Sequence, residues 1–240
     1  MQFLKGNEMR KLKCLDLFCK AGGASAGLAW AGFEVVGMDI APQPNYPFEF
    51  VHGDATQADL SGYDFVWASP PCQGYSRCKA LAQARNGGQY GEHPKLVETM
   101  RDKLTAWGGC WVIENVAGAP LRNPIKLFGS QFGLLTQRER WFEASFPLRA
   151  PINAKRKMQT PCAGNGKGPD GSISICGSGG VRGMKSKEIV SYWSLALGGV
   201  DWMSRAEMAE CIPPCYGAFI GQQAVNWILH NRLVAVISHK

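Results

Sequence analysis

Cys72, one of nine cysteines in this 240-residue chain, lies in Ala68-Ser69-Pro70-Pro71-Cys72-Gln73-Gly74-Tyr75-Ser76, a setting suited to a nucleophile. The residues before it, Tyr63-Asp64-Phe65-Val66-Trp67-Ala68, are short, apolar and bounded by Gly62 and two prolines, which predicts a buried strand. Pro70-Pro71 ends that strand and fixes φ for the turn that follows. The thiol is thereby delivered on a stiffened loop at a strand's C-terminal edge, where open α/β sheets place their ligands. A thiolate held this way can attack an activated carbon. A structural cysteine beside a proline turn is the competing reading of the tripeptide alone.

The elements around it must build such an edge. Leu12 to Phe18 reads as a first buried strand, followed by the turn Cys19-Lys20-Ala21-Gly22-Gly23 and a helix from about Ala24 to Ala31 that Gly32 closes. Strand, glycine turn and helix bring backbone N–H groups up to a nucleotide-like ligand, although a Gly-Gly turn also serves as a plain tight connection. Glu34 to Asp39 is a second strand with an acid at its end, about 20 residues after the first, the distance at which a carboxylate takes ribose hydroxyls. Phe48 to His52 is a third strand, and Asp54 beyond it is either a turn aspartate or an acceptor for an adenine amino group.

Downstream of Cys72, residues 74–93 are polar and glycine-rich, with Arg77, Lys79 and Arg85, and read as a DNA-facing lid. Pro94 to Trp107 reads as a helix with Pro94 in its first turn. Cys110 to Ile113 is a further strand presenting Glu114-Asn115-Val116 in the crevice that holds Cys72. Residues 125–147 read as a β-hairpin region in which alternation points Arg138 and Arg140 to one face. From 144 to 200 periodicity fades, and Arg149, Lys155, Arg156, Lys157, Lys167, Arg182, Lys185 and Lys187 face only Asp170 and Glu188, the balance of a phosphate-contacting lobe. Residues 201–210 read as helical, Pro213-Pro214 as a break, and Tyr216 to Val236 as a closing amphipathic helix. Cys215, in a second Pro-Pro-Cys with no strand before it, reads as structural.

The expected organisation is a core over 11–143, a small basic recognition region over 144–200, and a C-terminal segment 201–240 that returns to the core. Composition, 45% apolar and 10% aromatic, is that of a globular chain. No CxxC pair occurs and the four histidines are far apart, so no metal site is expected. Nine cysteines without an export signal or bilayer-length apolar run point to a cytoplasmic protein that engages no membrane. The net charge of +7 suits a polyanionic partner.

Taken together, these stretches resemble the DNA (cytosine-5) methyltransferases, particularly the compact bacteriophage-type members. Asp16-Leu17-Phe18 with Gly22-Gly23 is similar to the family's first cofactor motif, Pro71-Cys72-Gln73 to its nucleophile motif, and Glu114-Asn115-Val116 to its acid motif. Gln137-Arg138-Glu139-Arg140 resembles the arginine motif and Ile220-Gly221-Gln222-Gln223-Ala224-Val225 the closing motif. The resemblance runs from about residue 12 to 230, and residues 144–200 sit where the family carries a longer target-recognition region. It implies an α/β, Rossmann-like S-adenosylmethionine-dependent fold with a small, irregular basic region, acting as a monomer on double-stranded DNA.

The same resemblance implies roles for particular residues. Cys72 adds to cytosine C6, Glu114 engages N3 and the 4-amino group, and Arg140, less directly Arg138, neutralises charge near O2 and lowers the thiol pKa. The base must be flipped out of the duplex. Phe18 stacks near the adenine of S-adenosyl-L-methionine, Asp39 holds the ribose and Asp54 the adenine amino group. Lys20, Ala21, Gly22, Gly23, Ile40, Pro71 and Gln222 complete the cofactor set. Gln73, Ser76, Arg77, Lys155, Arg156, Lys157, Arg182 and Lys185 are the DNA contacts. Two positions depart from the family: Lys20 stands where glycine is common and Gln222 where asparagine is. A cation at position 20 raises an alternative donor, carboxy-S-adenosyl-L-methionine, which would leave 5-carboxymethylcytosine. An RNA-directed relative and a non-catalytic DNA-binding remnant are the other readings.

Overall fold

The computed structural model describes residues 10–75, 94–152, 173–175 and 185–238. Its strands are β1 (Lys13–Leu17), β2 (Glu34–Asp39), β3 (Glu49–His52), β4 (Phe65–Ala68), β5 (Cys110–Asn115), β6 (Ile125–Leu127) and β7 (Arg140–Ala144). They form a seven-stranded sheet in the order β3-β2-β1-β4-β5-β7-β6. The first five are parallel, and β7 runs antiparallel to both β5 and β6. The helices are α1 (Gly23–Trp30), α2 (Val97–Trp107), α3 (Ser186–Leu197), α4 (Arg205–Glu210) and α5 (Pro214–Ser238).

Both faces of the parallel strands are covered, which is why they read as continuous apolar runs. Cys14, Phe65, Trp67 and Val112 pack with Leu28 of α1 and with Tyr216, Ile220 and Ala224 of α5. Leu15, Leu17, Val66, Trp111 and Ile113 face the opposite layer, with Val97, Met100 and Leu104 of α2. Strand alternation therefore turns Asp16 and Glu114, the polar residues at the ends of β1 and β5, toward the α1–α5 side.

Helices α1 and α5 meet through glycines. A Cβ at Gly27 would overlap Pro214 O, and one at Gly217 would overlap Ala24 O. Gly221 lies against Ala31 and Leu28, so this glycine of the expected closing motif is a packing residue.

Three expectations need correction. Helix α2 begins at Val97, leaving Pro94 ahead of it and outside its first turn. Residues 186–197 form a helix where no periodicity was expected; Ile189, Trp193, Ala196 and Leu197 at helical spacing are buried beside Met203, Met208 and Cys211. Their signal is diluted by the glycine- and lysine-rich flanks. The third concerns Arg138, which precedes β7 instead of sharing a strand face with Arg140. Its φ is 36°, left-handed backbone outside the extended geometry that strand alternation requires.

Candidate active site

The chain crosses from one side of β1 to the other between β3 and β4, so β1 and β4 flank the switch point of the sheet. Ligands of open α/β sheets bind outside the strand ends at such a point. A cleft lies there, lined on the β1 side by Asp16, Phe18, Lys20, Ala21 and Gly23, and on the β4 and β5 side by Pro71, Cys72, Gln73, Glu114 and Arg140. Met203, Glu207, Ala209, Glu210, Cys211 and Ile212 make the facing wall.

The loop after β4 is held from below. Ser69 N donates to Leu17 O at 3.0 Å, Asn115 Nδ2 donates to Pro70 O at 2.9 Å, and Tyr75 N closes the turn on Cys72 O at 3.0 Å. Three cysteines line the cleft, but Cys19 and Cys211 are buried whereas Cys72 is partly exposed. Burial raises the Cys72 thiol pKa and the Glu114 charge adds to this; Arg140 and Arg138 pull it down without reversing the direction. The two arginines thus act on the thiol in the expected direction. Desolvation outweighs them.

Glu114 is nine-tenths buried, and burial raises its pKa against the opposing pull of Arg140, Arg138 and a hydrogen bond from Ser69. The Ser69 hydroxyl is itself oriented by Trp67 Nε1, 2.8 Å away. Arg140 Nε stands 3.0 Å from Glu114 Oε1, an ion-pair contact without hydrogen-bond alignment, so Oε1 keeps its accepting capacity.

Two further buried oxygens on lining residues lack a partner, Asp16 Oδ1 and Gln73 Oε1. Three unsatisfied acceptors on one cleft are costly unless a ligand supplies donors. The role of Asp16 was not foreseen, although an acid inside an apolar strand is its visible signal. It accepts from the Ser25 hydroxyl, which also contacts Tyr46 OH at 2.8 Å. Burial drives the Asp16 pKa up to about 7.

Other anticipated residues fall elsewhere. Arg138 is half-buried, and its guanidinium donates to Cys211 O (2.9 Å), Ile175 O (3.1 Å) and Ala209 O (2.7 Å), tying the facing wall to the sheet. Gln222 is exposed on α5 and donates to Asn226 Oδ1 at 3.3 Å, away from the cleft lining. Helical phase explains this: Gly221 and Ala224 face α1 and the core, which turns Gln222 outward. Asp54 caps a 3₁₀ turn, accepting from Thr56 N at 2.8 Å, the turn role foreseen as its alternative. Asp39 ends β2 and accepts from Lys20 N (3.1 Å) and Ala41 N (3.0 Å), while its neighbour Ile40 is 70% exposed. Gly22 caps α1 at φ 81°, where a Cβ would press on the Tyr46 ring.

Of the anticipated DNA contacts, Gln73 lines the cleft and Lys185 is exposed at the start of α3. Ser76, Arg77, Lys155, Arg156, Lys157 and Arg182 lie outside the described residues, as does most of the expected lid. Among the described residues no His, Cys, Asp or Glu group could hold a metal ion, and no helix is long and apolar enough to cross a membrane.

Residues 12–97 match the family model described as C-5 cytosine-specific DNA methylase, the segment that carries the β1 turn and Cys72. The motif resemblance to that family therefore holds over this segment. No curated protein sequence matches the chain. Three solved structures are similar across nearly all of it. A protein encoded within an E. coli prophage, described as a DNA modification methyltransferase, has 15% identity, a TM-score of 0.57, and coverage of 91% of this chain and 99% of its own. The Dnmt2 methyltransferase of S. pombe has 13% identity, a TM-score of 0.54, and coverage of 90% and 99%. The methyltransferase EhMeth of Entamoeba histolytica has 11% identity, a TM-score of 0.52, and coverage of 94% and 99%. At these identities the matches establish the fold, the Rossmann-like one of methyltransferases.

Proposed function

We propose that this chain, whose residues 12–97 match the C-5 cytosine-specific DNA methylase model, transfers a methyl group from S-adenosyl-L-methionine to C5 of a cytosine flipped out of double-stranded DNA. The observation that carries the reading is the meeting, in one cleft, of a partly exposed thiol at Cys72, a buried carboxyl at Glu114 with a free acceptor oxygen, and the Arg140 guanidinium. The cofactor fits the same cleft: Phe18 offers an aromatic face and Asp16 Oδ1 a buried acceptor without a partner.

Cytosine C5 is a poor nucleophile until C6 is attacked. Cys72 gives up its proton to solvent and its sulfur bonds to C6, moving the ring π electrons toward C5. Glu114, whose pKa is raised by burial, hydrogen-bonds N3 as charge builds on the ring, while its second oxygen accepts from the 4-amino group. Arg140 orients Glu114 and offsets negative charge developing near O2. When bound, the cofactor would supply an electrophilic methyl carbon to C5, its sulfonium–methyl bond breaking to leave S-adenosylhomocysteine. Loss of the C5 proton to solvent then restores the C5–C6 double bond, and the Cys72–C6 bond breaks to return the thiolate. The basic stretch 144–200 serves phosphate contact.

The plain methyl donor is the simpler reading, since the charge of Lys20 already has a partner in Glu210, Nζ to Oε2 at 3.5 Å. The test is a duplex bearing 5-fluorocytosine, whose C5 substituent cannot leave as a proton. Wild type incubated with S-adenosyl-L-methionine should form a denaturation-resistant adduct, and Cys72→Ala none. An adduct with Cys72→Ala, or nucleoside mass spectrometry showing it still methylating within about tenfold of wild type, overturns the assignment.

A further inference from the structure

Helix α5 is apolar on two faces, and only one of them is buried. Tyr216, Ile220, Ala224 and Ile228 pack into the core. Beyond Ile228 every residue from Leu229 to Ser238 is exposed. Leu229, Leu233, Val236 and Ile237 fall on one side of that stretch by helical spacing, turned away from Ile228, with Leu233 60% and Ile237 65% exposed. A helix apolar all round is normally a covered one. We propose that this side is the contact between two copies of this chain, whose α5 ends pair antiparallel, in place of the expected monomer.

Charge decides what can sit there. Arg232 is the only Lys, Arg, Asp or Glu among the 25 residues of α5, far fewer charges than a solvated surface carries. It is spent on Asp64, just ahead of β4, to which Arg10 also donates at 2.8 and 2.7 Å. The apolar side thus has no charge with which to select an acidic or basic protein, and no free cation of the kind that holds a helix on anionic lipid. Its own copy meets it without like-charge repulsion.

Spacing makes the side self-complementary. Asn226, Leu229, Leu233 and Val236 follow one another at intervals of three and four, the repeat of a two-helix seam. Antiparallel pairing about residue 231 opposes the helix dipoles and sets Leu229 of each copy against Leu233 of the other, with Val236 against Asn226. Asn226 Oδ1 already accepts from Gln222 Nε2, so the outer layers leave that oxygen satisfied. The exposed seam and its polar neighbours amount to on the order of 600 Å² a copy, or about 1,200 Å² in all, the lower bound of specific interfaces and the mark of a reversible dimer. Asp64 marks the strand ends opposite the cleft, so both clefts stay open in the pair.

The test is sedimentation equilibrium of the full chain over about 1–100 μM, where wild type should pass from monomer to dimer. Leu233→Glu sets a carboxylate against leucine in both central layers and should raise the dissociation constant by at least about a hundredfold. Its melting temperature, read where both proteins are monomeric, should not change, because position 233 is exposed within one copy. Mixing Leu233→Glu with Leu229→Lys should recover a heterodimer, since the antiparallel register brings those two positions together. Recovery only when Leu233→Glu is mixed with Leu233→Lys would mean parallel helices and overturn the pairing. A dimer undiminished by Leu233→Glu, or wild type monomeric throughout, overturns the inference. Monomeric wild type that floats with phosphatidylserine vesicles, and loses this with Leu233→Glu, would assign the face to a lipid surface instead.

Discussion

The wall of the cleft that carries the thiol and the wall that faces it are held by different forces. The first grows directly from β1, β4 and β5, whose residues are almost wholly buried and laddered to one another. The second, residues 203–211, packs in a separate cluster around Trp193 and Met208 that touches the sheet side at Ala21, and several polar ties join it to the sheet. These are Arg138 to three carbonyls, Trp202 Nε1 to Ala21 O at 2.8 Å, Asn45 to Glu207, and the Lys20–Glu210 pair. Groups that must meet a reacting atom within a fraction of an ångström stand on the laddered wall. Groups that must part to admit a ligand stand across the tied one. Arg138 and Arg140 show the division at two residues' distance, one spent on tying the walls and the other on the carboxyl.

The sharpest way to break this comparison is on the laddered wall. Glu114→Gln should lower single-turnover methylation by about two to four orders of magnitude, because an amide cannot offer the acidic proton to N3. The melting temperature should hold or rise, since a buried carboxyl with a raised pKa is replaced by a neutral group. A rate within about tenfold of wild type would assign ring activation elsewhere.

Arg138→Met attacks the ties. Leaving three carbonyls without their donor should cost about 3 kcal/mol, with a melting temperature lower by roughly 6–12 °C for a chain of this size. Methylation by the folded fraction at low temperature should fall far less than in Glu114→Gln. Equal loss of rate at unchanged stability would erase the distinction between the walls.

Asp16 tests the laddered wall through pH. Its folded pKa of about 7 is above the unfolded value, so its stabilising, protonated state is fully present below about pH 4 and is lost as pH rises through about 7. Asp16→Asn should therefore match wild type near pH 4 and exceed its melting temperature by several degrees at pH 8. Thermal scans at both values check this, and a constant difference would show that Asp16 does not titrate in that window.

The smallest effect belongs to Trp202→Phe, which removes one hydrogen bond to Ala21 O and should cost about 1 kcal/mol. Amide exchange should quicken in residues 203–211 and remain slow in β4 and β5. Uniform acceleration would mean that the two walls open together.

Much of the laddered wall was legible in the sequence because its signals are local. A run of apolar residues followed by Pro70-Pro71 or by Glu114-Asn115 fixes a strand end and what it presents. Arg138 was misplaced because alternation assumes extended backbone, and one left-handed residue cancels it. Gln222 depends on helical phase against α1, which only the packed pair of helices defines. Glu210 could not have been paired with Lys20 from the chain alone, since 190 positions separate them and their meeting follows from how α4 docks. Helix α3 was obscured by flanks whose composition belongs to loops.

The glycine contacts between α1 and α5 bear on synthesis. A ribosome releases α1 early, yet the surface that Gly27 and Ala24 require, Pro214 through Gly221, emerges only after all seven strands of the sheet have been made. Until then the turn after β1 lacks its backing, and the cleft lacks the wall that runs into α5. A fragment that stops short of Pro214 should therefore leave the α1 face exposed and the cleft open on that side.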